Sequence, residues 1–371
     1  MTTRHHCGAA AAALEEAIVR PTALIGFDGF IDHIIDVVDE RSAPDCYRPM
    51  AAIPMLAQRI AAAARTSTNL ELVVRQRKIG GAAAIMAQAV ARLGLEVDVV
   101  ATLGEPEIDP VFHDLMALAR SVTSLGPPAL TDALEFADGK IMLGKTGPLD
   151  AINRDRLAAV LGARLAGLLA GVDGVATVNW TMATGLSGIW RQLCAEVLPG
   201  LRPDRPLWLV DLADPVKRSR DDLFAALDDL RSLERFARVV LGLNGSEARQ
   251  VAALLGVSWH GDIEDRHAAR RCAEDICRRT GLSLVVIHLL GSAAAATPEH
   301  SCDVVGFPCQ TIAVATGGGD HFNAGLMTAL WSGLDLEQAL LVAAATSHCY
   351  VSTGISPQRA EVCAFLRQGH Q

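Results

Sequence analysis

The sequence is poor in aromatic residues. Phe, Trp and Tyr make up 4% of 371 residues, with two tyrosines among them, which leaves little from which to build a base-stacking pocket. It also lacks any basic run or basic, aromatic-interleaved stretch, and its formal net charge is −9. Nucleic acid and anionic membrane are therefore excluded as expected partners. No apolar run reaches the length needed to span a bilayer. The alanine-rich start is interrupted by Glu15 and Glu16, and no apolar core follows its basic residues. It does not read as a signal peptide. Residues 1–19 are expected to form an amphipathic helix or arm, and the protein to be cytoplasmic. Nine cysteines are scattered without a CxxC pair, so neither a disulfide framework nor a zinc knuckle is indicated. Cys272 and Cys277, near His260 and His267, fit no standard zinc spacing and read as thiols on a helix.

What is present is apolar and periodic. Half the residues are apolar, enough for one large domain or two ordinary ones. Short apolar runs at 22–27, 96–102, 174–178, 207–211, 239–243, 284–288 and 311–314 read as strands. Helical periodicity between them predicts helices at 50–64, 82–93, 111–119, 156–169, 183–197, 222–233, 246–255, 265–279 and 336–351. Residues 30–38 and 70–74 read as further strands. Residues 131–136 and 140–143 flank Asp138-Gly139 as a β-hairpin. The alternation predicts an α/β fold, a mostly parallel sheet flanked by helices on both faces. Ligands in such sheets bind at the carboxyl ends of the strands.

One stretch organises this pattern: Thr316-Gly317-Gly318-Gly319-Asp320, leading into a helix at Phe322, Leu326 and Leu330. It is expected at a strand-to-helix turn after 311–314. Glycine amides and the free N–H groups of a helix start can cradle an anion. A carboxylate beside such a cradle repels phosphate. Asp320 makes sense there if it takes a proton from a hydroxyl that attacks the phosphate. A tight turn with Asp320 as helix cap accounts for the same residues. The stretch is neither a Walker A loop nor a dinucleotide fingerprint.

Together with two other motifs, it resembles the ribokinase-like (PfkB) carbohydrate kinase family over roughly residues 20–357. The C-terminal signature is Val314 to Asp320 with Phe322 and Gly325. The N-terminal one is Gly80-Gly81, closing at Leu93-Gly94. The middle Asn-x-x-Glu is Asn244 to Glu247. The resemblance implies a kinase domain over 20–367 with a small β lid, from segments about 29–40 and 129–145. It implies γ-phosphate transfer from ATP to a hydroxyl of a sugar or polyol, or of a nucleoside. Asp320 would be the base, and Gly317, Gly318 and Gly319 the anion hole. Asn244 and Glu247 would hold Mg²⁺ through water, although an asparagine cap with a first-turn acid reads equally simply as a capping pair. Gly80, Gly81 and one of Asp28 or Asp32 would bind the acceptor. Asn244, Gly291, Thr316, Ser347 and His348 would line the nucleotide site. Some family members pair through lid strands, so a homodimer is the oligomer the resemblance allows.

The chain departs from the family at three places. Ile85 replaces an asparagine after the glycine pair, and Ile offers no hydrogen bond to a hydroxyl. Ala82 stands where ribokinase proper has lysine, which argues against ribose. Val314 replaces the aspartate that opens the catalytic signature, which removes support for a monovalent-cation site. Trp180, Asp211 and Asp214 follow strand ends, where they face substrate or serve as core and turn residues.

Overall fold

The computed structural model describes residues 3–17, 21–201, 205–309, 311–314 and 316–368. Its strands, in chain order, are β1 (Thr22–Phe27), β2 (Phe30–Ala43), β3 (Cys46–Pro49), β4 (Leu72–Gly80), β5 (Glu96–Ala101), β6 (Ser121–Ser124) and β7 (Ala129–Phe136). There follow β8 (Gly139–Lys145), β9 (Gly174–Thr177), β10 (Leu207–Asp211), β11 (Arg238–Asn244), β12 (Leu284–His288), β13 (Ser292–Ala296) and β14 (Ser301–Val305).

Nine of these form a central sheet in the order β14-β13-β12-β11-β10-β9-β1-β5-β6. The pairs from β12 through to β6 are parallel, and β13 and β14 add antiparallel at one edge. Every residue of β1 is buried, as a strand covered on both faces requires. On one face pack Trp180, Trp190 and Trp208 with the helices around them. Trp190 and Trp208 both donate their indole N–H to Thr177 Oγ1 at 3.0 Å, so neither ring leaves a polar atom unmet in the core. On the other face lie the alanine-rich helix Ala82–Arg92 and the helices Gly318–Trp331 and Leu336–Thr353. Gly174 is obligatory here: a Cβ would sit 1.7 Å from the Trp331 ring nitrogen.

The remaining strands make a small separate sheet. β3, β2, β7 and β8 follow one another, and β4 pairs with β2. β4 runs from Leu72 to Gly80, well past the 70–74 expected, because pairing with Phe30–Val37 carries its polar residues Arg75 to Lys78 along the ladder. The helix Thr3–Glu16 buries Cys7, Ala10 and Leu14 and packs on the C-terminal helix Arg359–Gln368. Among the described residues no helix is long and apolar enough to cross a membrane.

Two expectations are corrected. Residues 311–314 are not a strand. The amides of Ala313 and Val314 both donate to Val351 O rather than to a ladder, and Ile312 is exposed. The glycine stretch therefore opens its helix from a loop, and the sheet edge is made by the β13–β14 hairpin. Residues 156–169 are two helices, Arg154–Leu161 and Arg164–Ala170, broken at Gly162, whose φ of 50° ends the first.

Candidate active site

Adjacent parallel strands deliver the site as a row. At the carboxyl ends of β12, β11, β10, β9 and β1 stand His288, Asn244, Asp211, Asn179 and Asp28. The helix Gly318–Trp331 meets this edge with its N-terminus. Gly317, at φ 86°, turns the chain into the helix, and Asp320 lies in the first turn. Two of the three glycines are closely crowded. A Cβ on Gly317 would lie 3.1 Å from the Tyr350 ring, and one on Gly318 3.1 Å from Val351 Cγ2. Ser347 Oγ donates to Gly318 O at 2.9 Å, so this serine braces the glycine loop.

The Asp320 carboxyl is raised well above the ordinary value. Loss of solvent is the largest cause, followed by the negative charges of Asp211, Asp28, Asp32 and Glu247. Asp211 is pushed to about 7 by burial and by Glu247. It accepts a 2.8 Å bond from Asn323 Nδ2. This asparagine lies one turn beyond Asp320 on the same helix. The i, i+3 spacing of the two was its only sequence signal.

The two candidate acceptor-side acids have different surroundings. Asp28 is fully buried and already occupied: its carboxylate accepts from the amides of Ala82 and Ala83 at 2.9 and 2.8 Å, and from Asn179 Nδ2 at 2.8 Å. It anchors the start of the helix Ala82–Arg92, where Gly81 adopts φ 88°. Asn179 holds a left-handed φ of 60°, and its Oδ1 is buried without a partner. It went unnoticed as a site residue, although it follows a strand end. Asp32 lies on β2 in register with Lys78 of β4 and Thr131 of β7. Burial raises its carboxyl, while Lys78 and a bond to Thr131 pull the other way. Gly80 makes room for it, since a Cβ there would be 2.4 Å from Asp32 Oδ1. Trp180 is buried in the core with its N–H on Ser187 Oγ, and the Arg218 guanidinium lies 4.4 Å from its ring centre.

Asn244 and Glu247 form a complete capping box. Asn244 Oδ1 accepts from the Glu247 amide at 3.0 Å and Glu247 Oε2 from the Asn244 amide at 2.9 Å. Glu247 Oε1 also accepts from the amide of Asp214 at 2.9 Å. Burial raises its carboxyl. Among the described residues no three or more His, Cys, Asp or Glu side chains converge as a metal cluster. Asp211, Glu247 and Asp320 instead crowd negative charge at one edge, each raised by burial and by like-charged neighbours. That surplus suits a hydrated divalent cation, which needs charge nearby more than a cage of direct ligands.

A cleft of about 780 Å³ lies beside this edge, lined by Asn244, Gly291, Gly317 to Gly319, Ser347 and His348. Thr316 adjoins it in sequence and is not among the lining residues. His348 donates Nδ1–H to Phe307 O at 3.2 Å and stacks on Phe365. Val314 packs near Gly354.

The fold and the site together define a carbohydrate kinase of the ribokinase-like (PfkB) class, a phosphotransferase with a hydroxyl acceptor. Within that class the model of the prokaryotic ketohexokinase family matches residues 1–369, and the chain belongs to that family. It is 32% identical over 360 residues to a ketohexokinase from Haloferax volcanii, covering 95% of this chain and 92% of the relative. In structure it resembles a ribokinase from Thermotoga maritima, with a TM-score of 0.63 at 15% identity, covering 94% of this chain and all of that one. It also resembles an Arabidopsis thaliana ribokinase complexed with ribose and ATP, with a TM-score of 0.61 at 16% identity over 94% and 99% of the two chains. At those identities the likeness is one of fold.

Proposed function

We propose that this sugar kinase transfers the γ-phosphate of ATP to a hydroxyl of a ketohexose. The observation that carries the reading is Asp320, held in the first turn behind three glycines and raised above the usual carboxylate range by burial and then by its acidic surroundings. In this reading Asp320 accepts the hydroxyl proton as the oxygen attacks, and the Gly317 to Gly319 amides receive the charge of the transferred group.

The acceptor lies between the central edge and the small sheet, which serves as its lid and keeps water from competing for the phosphate. Asp32 and Gly80 bind it. Asp28 and Gly81 build the helix start against which it rests, since the Asp28 carboxylate is occupied by the helix. Membership of the family supports a ketohexose as acceptor, and loss of the amide at Ile85 speaks against a ribose site. Asn244, Gly291, Thr316, Ser347 and His348 belong to the nucleotide side. Glu247 and Asn244, with Asp211 beside them, would hold Mg²⁺ through its waters. When bound, Mg²⁺ would neutralise phosphate charge at this acidic edge.

The test is ATP consumption with Mg²⁺ against separate pools of ketohexoses, aldoses, polyols and nucleosides, with Asp320→Asn in parallel. Turnover on a ketohexose that the variant loses is expected. Turnover on nucleosides alone would reassign the acceptor. No turnover on any pool, with ATP still raising the melting temperature, would make the chain a binding protein.

A further inference from the structure

The residue after the base carries an unassigned role. His321 is fully buried and its ring is bonded at both nitrogens. Nδ1 lies 2.7 Å from Gly317 O, and Nε2 lies 2.8 Å from Ser356 Oγ. A carbonyl oxygen can only accept, so Nδ1 carries the proton and Nε2 accepts from the serine. The ring is neutral, its pKa lowered to about 4 by burial. It stacks face to face on Tyr350, with ring centres 3.5 Å apart at 8°.

The Gly317 carbonyl is therefore doubly held. It accepts the His321 backbone amide at 3.1 Å and the His321 ring at 2.7 Å. In a trans peptide the C=O and the next N–H point in opposite directions. Clamping Gly317 O under the helix aims the Gly318 N–H away from His321. Gly317 is at φ 86° and Gly318 has no side chain, so side chains at these positions cannot restrict the plane, and among the described residues the backbone bond to His321 is the one other tie on Gly317 O. The imidazole adds the shorter of the two bonds and so tightens the constraint. The constraint also reaches the acceptor side, because Arg92 Nε donates to Ser356 O at 2.7 Å. Arg92 ends the helix whose first amides Asp28 holds.

We propose that His321 is a positioning residue for phosphoryl transfer. Its Nδ1–H fixes the Gly317–Gly318 peptide so that the Gly318 amide faces the transferred phosphate, and Ser356 and Arg92 tie that setting to the acceptor-side helix. The proposal rests on the reading of Gly317 to Gly319 as the anion hole.

Three variants separate this role from packing. His321→Phe keeps the ring and its stack on Tyr350 and loses both hydrogen bonds. His321→Asn restores an N–H at the reach of Nδ1. Ser356→Ala removes the Nε2 partner alone. His321→Phe is expected to lower kcat by about 10- to 100-fold, the scale of a misplaced transition-state donor, with the acceptor KM within about threefold. His321→Asn recovers most of the loss, and Ser356→Ala falls between.

A readout without an acceptor runs alongside. ATP is expected to raise the melting temperature of the parent more than ADP does, and His321→Phe to erase that difference while keeping the ADP shift. A folded His321→Phe with parental kcat, or with the ATP–ADP difference intact, overturns the proposal. So does a series that changes melting temperature and nothing else. Full Asp320→Asn activity, or a parent that does not distinguish ATP from ADP, would instead overturn the underlying reading of the glycine loop.

Discussion

At the scale of single residues, the site sets a conflict between charge and stability. Asp320 is surrounded by Asp211, Asp28, Asp32 and Glu247, and all four raise its carboxyl. Asp320→Asn removes the proposed base and one of the clustered acids together. Turnover is expected to fall on the order of 10²-fold or more, while the melting temperature rises. Steady-state kinetics and calorimetry on the same sample check both. The raised carboxyl also fixes the sign of the pH dependence. The base works ionised, so kcat/KM is expected to fall on the acid side, with its limb above the ordinary carboxylate range. Gly80 offers a cleaner separation of acceptor from nucleotide. Gly80→Ala would drive a methyl to 2.4 Å from Asp32 Oδ1 and displace the carboxylate. The acceptor KM is expected to rise about 10- to 100-fold, the worth of a charged hydrogen bond, with the ATP KM unchanged. An unchanged acceptor KM would remove Asp32 from the acceptor site.

At the scale of elements, the helix Ala82–Arg92 depends on a residue far from it in sequence. Its N-cap, Gly81, offers no side chain, and Asp28 takes the first two amides instead. Asp28→Ala would leave those amides and the Asn179 amide buried without an acceptor. The expected cost is about 2–3 kcal/mol of stability, read by denaturant unfolding. A loss below about 0.5 kcal/mol would show that the cap contributes little.

The sequence could not reveal this cap, because three strands of the small sheet and a helix lie between Asp28 and Ala82. What was legible was local. The strand runs of the central sheet and the Asp138-Gly139 turn stood out because burial on both faces and tight turns leave strong patterns. The β13–β14 hairpin did not. Its residues Ala293 to Ala296 are buried, but alanine has little β-propensity and reads as helix or filler. Residues 311–314 carried the apolar pattern of a strand and lie instead in a loop bonded to Val351. Among the site residues, the glycine stretch and Asp320 were visible as a contiguous motif. The choice between Asp28 and Asp32 was not, since it turns on which amides and which glycine the fold brings against each carboxylate. Asn179 and His321 escaped notice because neighbours distant in sequence define their surroundings.

At the scale of the whole molecule, a chain of net charge −9 gathers four carboxylates at one edge of its main sheet and brings a fifth, Asp32, from the small sheet close enough to raise Asp320. In the folded protein Asp211 is raised from 3.8 to about 7, and Asp28, Asp32, Glu247 and Asp320 are raised as well. Across that window the folded chain holds protons that the unfolded chain has released. Stability therefore falls as pH rises through it. This is opposite to a salt-bridged acid, which loses stability as pH falls. The proposed function accounts for the cost, because ionised carboxylates are what the proposed base and a hydrated cation would require. A divalent cation at the edge should offset it, and more so at higher pH, where more of the carboxylates are ionised. The melting temperature of the free protein is expected to decline between about pH 5 and pH 7.5, less steeply with Mg²⁺, and to flatten in Asp211→Asn. A melting temperature that climbs with pH over this range, and that neither Mg²⁺ nor Asp211→Asn alters, would mean that the acids are paired within the protein and that the edge carries no surplus charge for a cation to meet.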